Sequence, residues 1–106
     1  MILLHGSAAS LFTWEKWIAA LPKDIRIISV DFPGHGLTGP TPQGAYWIDG
    51  LTDFLNEFSD TLGLKQVILV GNSMGGGISS NYAINYPDLV AGLILIDADG
   101  LPEDLY

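Results

Sequence analysis

The sequence contains no cysteine, which excludes disulfides, a thiolate nucleophile and zinc sites built on cysteine. Basic residues are also scarce: Lys16, Lys23, Arg26 and Lys65 stand against 12 acidic residues, giving a formal net charge of −8. Because binding to a phosphate backbone needs clustered positive charge, we expect no nucleic-acid partner. A solvated acidic surface is enough to explain the excess of carboxylates.

Long hydrophobic runs are absent as well. The longest apolar stretch, Leu89–Ile96, is far shorter than the roughly 20 residues that a membrane-spanning helix needs. The N-terminus has no basic segment followed by an apolar run, so it does not resemble a secretory signal. We therefore expect a protein that has no membrane partner and is located in the cytoplasm.

What the chain does have is a high hydrophobic content for its length. Hydrophobic residues make up 48% of the 106 positions, and the mean hydropathy is +0.33. A chain of this length forms one domain at most. Four short runs rich in Ile, Val and Leu do not alternate with polar residues, which is typical of parallel strands buried on both faces. These runs are Ile2–Leu4, Ile25–Val30, Val67–Val70 and Leu93–Ile96.

Three segments with helical spacing of apolar residues lie between the predicted strands. The first runs from Trp14 to Leu21 with Thr13 as its expected N-cap, the second from Trp47 to Leu62 with Gly63 as its stop, and the third begins after Ser73. The alternation predicts an α/β fold with an open parallel sheet of about four strands and helices on both faces, in three layers. Ligands are expected at the carboxyl ends of the strands.

The third predicted strand leads directly into Gly71-Asn72-Ser73-Met74-Gly75, and a helix follows. This is the G-x-S-x-G pattern in the strand–turn–helix setting that a nucleophilic serine requires. Side chains at Gly71 and Gly75 would collide with the neighbouring helix and strand, and the helix N-terminus favours negative charge near Ser73. The alternative is a glycine-rich turn that only packs a helix against a strand. The setting favours a nucleophile.

A second glycine pattern, residues 34–39, matches the G-x-G-x-x-G fingerprint of dinucleotide-binding proteins. That fingerprint must open a helix, whereas here Pro33 precedes the pattern and Pro40 and Pro42 follow it. We therefore reject a nucleotide site and expect no cofactor and no metal.

Three motifs in order, His5-Gly6, the Asp-Phe-Pro-Gly-His-Gly segment at residues 31–36, and residues 71–76, resemble the α/β-hydrolase superfamily. The sequence is similar to the branch that holds small-molecule carboxylesterases and serine-dependent C–C hydrolases. The resemblance implies that residues 1–106 are a partial core domain, without the family's first two strands, lid and final strands. It also implies that the first and third predicted strands are neighbours in the sheet.

By the same resemblance, Ser73 is the nucleophile and the amides of Met74 and Ser7 form the oxyanion hole. Gly6 belongs to the loop that carries Ser7, and we expect His5 to hold this loop rather than to act as a base. The substrate would be a small-molecule ester or ketone. The oligomeric state stays open.

The partners that Ser73 would need are missing or ambiguous. No histidine follows Ser73, and His35 is expected to brace its own loop rather than to serve as the base. Asp97 and Asp99 follow the fourth predicted strand, where either could be the acid or a simple turn residue. We expect a serine hydrolase that acts through an acyl-enzyme, with the isolated segment inactive. The alternative is an inert fragment or a non-catalytic binding protein on the same scaffold.

Overall fold

The computed structural model describes residues 1–100, which form a four-stranded parallel sheet covered by helices. In chain order the elements are β1 Ile2–Leu4, α1 Glu15–Ala20, β2 Ile28–Val30, α2 Ile48–Thr61, β3 Val67–Asn72, α3 Met74–Asn85 and β4 Val90–Ile96. Short 3₁₀ helices at Leu11–Trp14 and Pro87–Leu89 precede α1 and β4. No helix within residues 1–100 is long and apolar enough to cross a membrane.

The strand order is β2-β1-β3-β4, and every neighbouring pair is parallel. The predicted pairing of the first and third strands is confirmed, with Leu4 of β1 opposite Gly71 of β3. Because parallel neighbours lie about 4.8 Å apart, the segments that follow β1 and β3 start side by side at one edge of the sheet.

The sheet separates two hydrophobic clusters, because successive side chains of a strand point to opposite faces. Ile2 and Leu4 of β1 pack in one cluster with residues of α2 and α3, such as Leu51 and Tyr82. Leu3, between them, packs in the other cluster with Trp14. The expected three-layer arrangement, with helices on both faces, is therefore confirmed.

Three strand boundaries differ from the sequence-based expectation, and in the first of these β3 extends to Asn72 rather than ending at Val70. The second strand begins at Ile28 rather than Ile25, because β1 is its partner and their pairing starts at Ile2 opposite Ile28. The fourth strand begins at Val90 rather than Leu93, since its pairing with β3 starts at Val67 and passes an irregularity before Ile68. Ala91 and Gly92 lack the large branched side chains by which the strands are predicted, so the expected strand starts only at Leu93.

The expectation that Thr13 caps the first helix is wrong. Thr13 lies inside the 3₁₀ helix, donates its amide to the Ser10 carbonyl at 3.0 Å, and makes no side-chain cap. The Asp31 carboxylate accepts a hydrogen bond from the Leu11 amide at 2.7 Å, so a side chain from outside the segment holds the start of this turn.

The end of α2 follows the prediction. Gly63 has φ 66° and donates its amide to the Asp60 carbonyl at 2.9 Å, while the Leu64 amide donates to the Ser59 carbonyl at 3.0 Å. This pair of bonds is the Schellman arrangement, which favours glycine at the left-handed position.

Candidate active site

Ser73 lies at the sharp turn between β3 and α3, at the carboxyl edge of the sheet. Its backbone has φ 50° and ψ −117°, a conformation that side-chain-bearing residues rarely adopt. Such conformations cost on the order of 1–3 kcal/mol and persist only where the surroundings enforce them.

Backbone hydrogen bonds enforce the conformation of Ser73. Its amide donates to the Ile96 carbonyl of β4 at 3.0 Å. Its carbonyl accepts from the amides of Gly76 at 2.9 Å, Gly77 at 3.1 Å and Asp99 at 3.0 Å. These bonds use backbone atoms alone, so the turn does not depend on the serine hydroxyl.

The two glycines of the G-x-S-x-G pattern sit where no side chain fits. A Cβ at Gly71 would overlap the backbone of Gly75 at the start of α3, and a Cβ at Gly75 would overlap the Leu4 carbonyl at the end of β1. The close approach of β1, β3 and α3 therefore requires glycine at both positions, as the sequence predicts.

The loop after β1 packs directly against the Ser73 turn. A Cβ at Gly6 would lie 3.3 Å from the Ser73 Cβ and 3.2 Å from the Asn72 Oδ1. The Ser7 hydroxyl donates to the Met74 sulfur at 3.6 Å. The structure thus brings Ser7 and Met74 together beside Ser73, although more than 60 residues separate them in the chain. Met74 is the first residue of α3, so its amide has no partner within the helix.

His5 is fully buried at the end of β1 and uses both ring nitrogens. Its Nε2 accepts from the Phe32 amide at 3.1 Å, and its Nδ1 lies 2.7 Å from the Gly6 carbonyl oxygen. Burial lowers the pKa of His5 below 6.5, and the nearby His35 lowers it further, while the Gly6 carbonyl and Asp31 oppose this shift. Its ring therefore bonds to the loops that follow β1 and β2, and it makes no hydrogen bond to Ser73.

Asp31, a buried carboxylate that sequence reasoning did not single out, organises the loop after β2. It accepts hydrogen bonds from the Leu11 amide at 2.7 Å and the Leu37 amide at 3.0 Å. Burial acts to raise the pKa of Asp31, but the amides of Leu37 and Leu11, with His5 and His35 nearby, hold it below its usual value. Gly36 has φ 53°, and a Cβ there would overlap this carboxylate. The only signal in the sequence was the position of Asp31 at the start of the 31–36 segment.

His35 is half-buried in the same loop and packs against His5, with ring centroids 5.1 Å apart. Its Nδ1 lies 3.1 Å from the Pro33 carbonyl oxygen, to which it donates. Within residues 1–100 no hydrogen bond joins His35 to Ser73. The loop closes through turns, and no helix begins at the glycines of residues 34–39, as the surrounding prolines predict.

The two aspartates after β4 differ in their relation to Ser73. Asp99 Oδ1 lies 3.4 Å from the Ser73 hydroxyl oxygen, a long hydrogen bond between exposed groups. Asp97 is exposed and has φ 43°, and no side-chain hydrogen bond connects it to the described part of the site. In a triad a histidine stands between serine and acid, so a direct contact of this kind orients the hydroxyl without replacing a base.

A pocket of about 500 Å³ lies between the loop at residues 38–45 and α2, with Asp53, Phe54 and Glu57 in its wall. Neither Ser7 nor Ser73 lines it. Within the described part of the chain, no three His, Asp or Glu side chains come together as metal ligands would.

Similarity to known proteins identifies the family of this chain. The family model described as "alpha/beta hydrolase fold" matches residues 1–105. The chain belongs to the α/β-hydrolase family. The strained serine between strand and helix, flanked by glycines and by the loop after β1, therefore lies in the fold that the three motifs predicted.

Individual relatives of this α/β hydrolase are similar over nearly all of its length. A monoacylglycerol lipase of Xenopus laevis is 35% identical over 95% of this chain and 31% of its own. A 2-hydroxy-6-oxo-2,4-heptadienoate hydrolase of Pseudomonas putida is also 35% identical, over 99% of this chain and 39% of its own. The solved structure of a carboxylesterase of the thaumarchaeon Nitrososphaera gargenis superimposes with a TM-score of 0.86 at 31% identity, covering 92% of this chain and 36% of the esterase. This chain thus spans between about a third and two fifths of these relatives' length.

Proposed function

We propose that residues 1–106 carry the nucleophile of a serine hydrolase that cleaves a carboxylic ester or a related carbonyl substrate. The observation that supports this most is the backbone of Ser73, held at φ 50° between β3 and α3 with glycine on both sides. Strain of this kind at a serine that faces the carboxyl edge of the sheet is typical of a nucleophile rather than of a packing turn.

In the proposed reaction the Ser73 Oγ attacks the carbonyl carbon and loses its proton to a base. The carbonyl oxygen becomes an oxyanion, which the amides of Ser7 and Met74 stabilise by hydrogen bonds. The C–O bond to the leaving alcohol then breaks, and the alcohol receives the proton. Water hydrolyses the acyl-enzyme on Ser73 by the same steps and releases the acid. This chemistry needs no cofactor.

The base and the final carboxylate belong to another segment in this proposal. Both histidines of the chain are committed to loop hydrogen bonds, and neither bonds to Ser73 within the described residues. We propose that residues 1–106 are a partial core domain and are inactive in isolation. We define the full-length protein as the product of the complete reading frame that contains them. A histidine in that frame beyond Tyr106 would support the proposal.

A fluorophosphonate probe tests the nucleophile directly. We expect the probe to label the full-length protein at Ser73, and the Ser73→Ala variant to lose both labelling and hydrolysis of p-nitrophenyl butyrate by at least about 10³-fold. Ser80→Ala, at a half-buried position of α3 whose hydroxyl donates to the Gly76 carbonyl, is the matched control and should label normally. Labelling that persists in Ser73→Ala would contradict the proposal.

A separate assay is needed to decide whether an ester bond or a C–C bond is cleaved. The relatives include proteins named as lipases and as a 2-hydroxy-6-oxo-2,4-heptadienoate hydrolase. We propose the ester as substrate and a vinylogous 1,5-diketone as the rival. Comparing kcat/KM for the two classes in the full-length protein decides between them.

A second candidate, a non-catalytic binding protein on this scaffold, is favoured by the absence of a histidine beside Ser73 within residues 1–100. It predicts a reading frame without a downstream histidine, no labelling by the probe, and retained binding of small esters. The same labelling experiment therefore separates the two functions.

A further inference from the structure

The loop after β1 has to be held with some accuracy if its amide is to serve the oxyanion. Gly6 and Ala9 form a turn in which the Ala9 amide donates to the Gly6 carbonyl at 3.3 Å, and Ala8 has φ 55°. Ser7 sits inside this turn and is exposed. The bond between Gly6 and Ala9 is long, and Ala8 is in a region that alanine disfavours, so the turn needs further support.

His5 supplies that support from beneath the turn. Its Nδ1 lies 2.7 Å from the Gly6 carbonyl oxygen, the same oxygen that accepts from Ala9. A carbonyl cannot donate, so the proton of this hydrogen bond must be on Nδ1.

The other ring nitrogen confirms this assignment by an independent partner. The Phe32 amide can only donate, so Nε2, 3.1 Å away, must be an acceptor without a proton. The two backbone partners therefore select the neutral tautomer protonated at Nδ1. A second proton on Nε2 would face the Phe32 N–H and break that bond.

We propose that His5, in its neutral Nδ1-protonated tautomer, is a positioning residue that fixes the Gly6–Ala9 turn and thereby the Ser7 amide beside Ser73. This inference rests on the proposed function, because the Ser7 amide matters to the reaction only if Ser73 is the nucleophile. Because Gly6 packs closely on Asn72 and Ser73, a small shift of the turn would also displace these two residues.

The groups around the His5 ring determine the pH range in which this tautomer is populated. Phe32 packs edge-on at a centroid distance of 5.2 Å, and His35 packs at 5.1 Å. Asp31 is the negative group that acts on the ring, and His35 is the other titratable group that acts on it. Because burial and His35 together lower the pKa of His5, the neutral form persists at neutral pH.

Two substitutions of His5 separate its two hydrogen bonds. In His5→Asn the side-chain amide can occupy the place of Nδ1 and donate to Gly6, but it does not reach Phe32. In His5→Gln the side-chain oxygen can reach the place of Nε2 and accept from Phe32, but the donor to Gly6 is lost. We expect His5→Asn to keep kcat for p-nitrophenyl butyrate within about threefold, and His5→Gln to lower kcat by about 100-fold with little change in KM. Equal losses of kcat in the two variants would overturn the proposal.

Measurements that do not depend on activity keep the inference separate from the proposed function. Nitrogen-15 NMR of the His5 ring in the full-length protein should show the proton on Nδ1, and the backbone amide resonance of Ser7 should move in His5→Gln but not in His5→Asn. A proton on Nε2, or a Ser7 resonance that is unchanged in His5→Gln, would overturn the positioning role even if Ser73 is labelled. Loss of labelling with the expected NMR result would instead count against the proposed function alone.

Discussion

The backbone of Ser73 is strained, yet several hydrogen bonds keep it in this conformation. Its amide and carbonyl take part in hydrogen bonds to Ile96, Gly76, Gly77 and Asp99, and all of these use backbone atoms. Removing the hydroxyl therefore leaves the turn intact. A Ser73→Ala protein that is inactive and unlabelled, yet as stable as the parent, would assign the loss to chemistry rather than to folding.

Gly75 allows a prediction about stability at the same scale. Its Cβ in Gly75→Ala would overlap the Leu4 carbonyl, a backbone atom that cannot move without shifting β1. We expect the substitution to lower the free energy of unfolding by about 2 kcal/mol, in the range of other overpacked sites. Thermal or urea denaturation of the full-length protein measures this.

The matched control is Gly39→Ala, because, apart from Gly39 and its two chain neighbours, no atom of the described residues lies within 4 Å of the position that its Cβ would take. We expect this variant to unfold within about 0.5 kcal/mol of the parent, as exposed substitutions usually do. Equal effects at Gly39 and Gly75 would show that the contact between α3 and β1 is looser than the structure indicates.

At the scale of elements, the loops after β1 and β2 form one hydrogen-bonded unit. His5 bonds to Phe32 in the second loop, and the Asp31 carboxylate beside it bonds to the amides of Leu11 and Leu37. A buried carboxylate that accepts amide hydrogen bonds stabilises the folded state only while it is ionised.

Asp31→Asn tests this unit through its pH dependence. The folded pKa of Asp31 lies below the usual 3.8, so its contribution is complete above pH 3.8 and is lost as the pH falls through the folded value. We expect Asp31→Asn to cost about 2 kcal/mol at pH 7, and the gap to the parent to shrink below pH 3.8. Urea midpoints between pH 3 and pH 7 measure it. The exposed Asp24→Asn is the control, and a gap that stays constant with pH would contradict the prediction.

The same elements show what sequence patterns could and could not predict. Apolar runs located all four strands, and Gly63 located the end of α2, because these signals are local in the chain. The start of β4 and the role of Asp31 were not predicted, since the first depends on pairing with Val67 and the second partly on the amide of Leu11, both about 20 residues away. The proximity of Ser7 and Met74 could be predicted only from the family resemblance, because strand order cannot be derived from spacing.

At the scale of the whole molecule, the strand order β2-β1-β3-β4 explains why the candidate site forms where it does. β1 and β3 are the central pair, so the loops that follow them meet, and β4 brings Asp99 to the same edge. The outer strands β2 and β4 each have one strand partner within residues 1–100.

The edge of β4 that has no strand partner within residues 1–100 leads to a prediction about the segment 1–106 when it is produced alone. Seven residues, Val90–Ile96, carry no charge and no proline, and Leu93 and Ile94 are 39% and 42% exposed. Exposed strands of this kind pair with other chains. We expect the isolated segment to self-associate in size-exclusion chromatography with light scattering, and Ile94→Lys to increase the monomer fraction severalfold, because an edge lysine opposes strand pairing.

Ile84→Lys is the matched control, since Ile84 lies on α3, is 76% exposed, and the substitution changes the net charge equally. If both variants raise the monomer fraction alike, general charge repulsion acts and β4 is not the contact. A monodisperse monomer of the unsubstituted segment, with cooperative thermal unfolding, would contradict the prediction outright. It would also mean that a four-stranded sheet with an open apolar edge is stable by itself, which the burial pattern of β4 argues against.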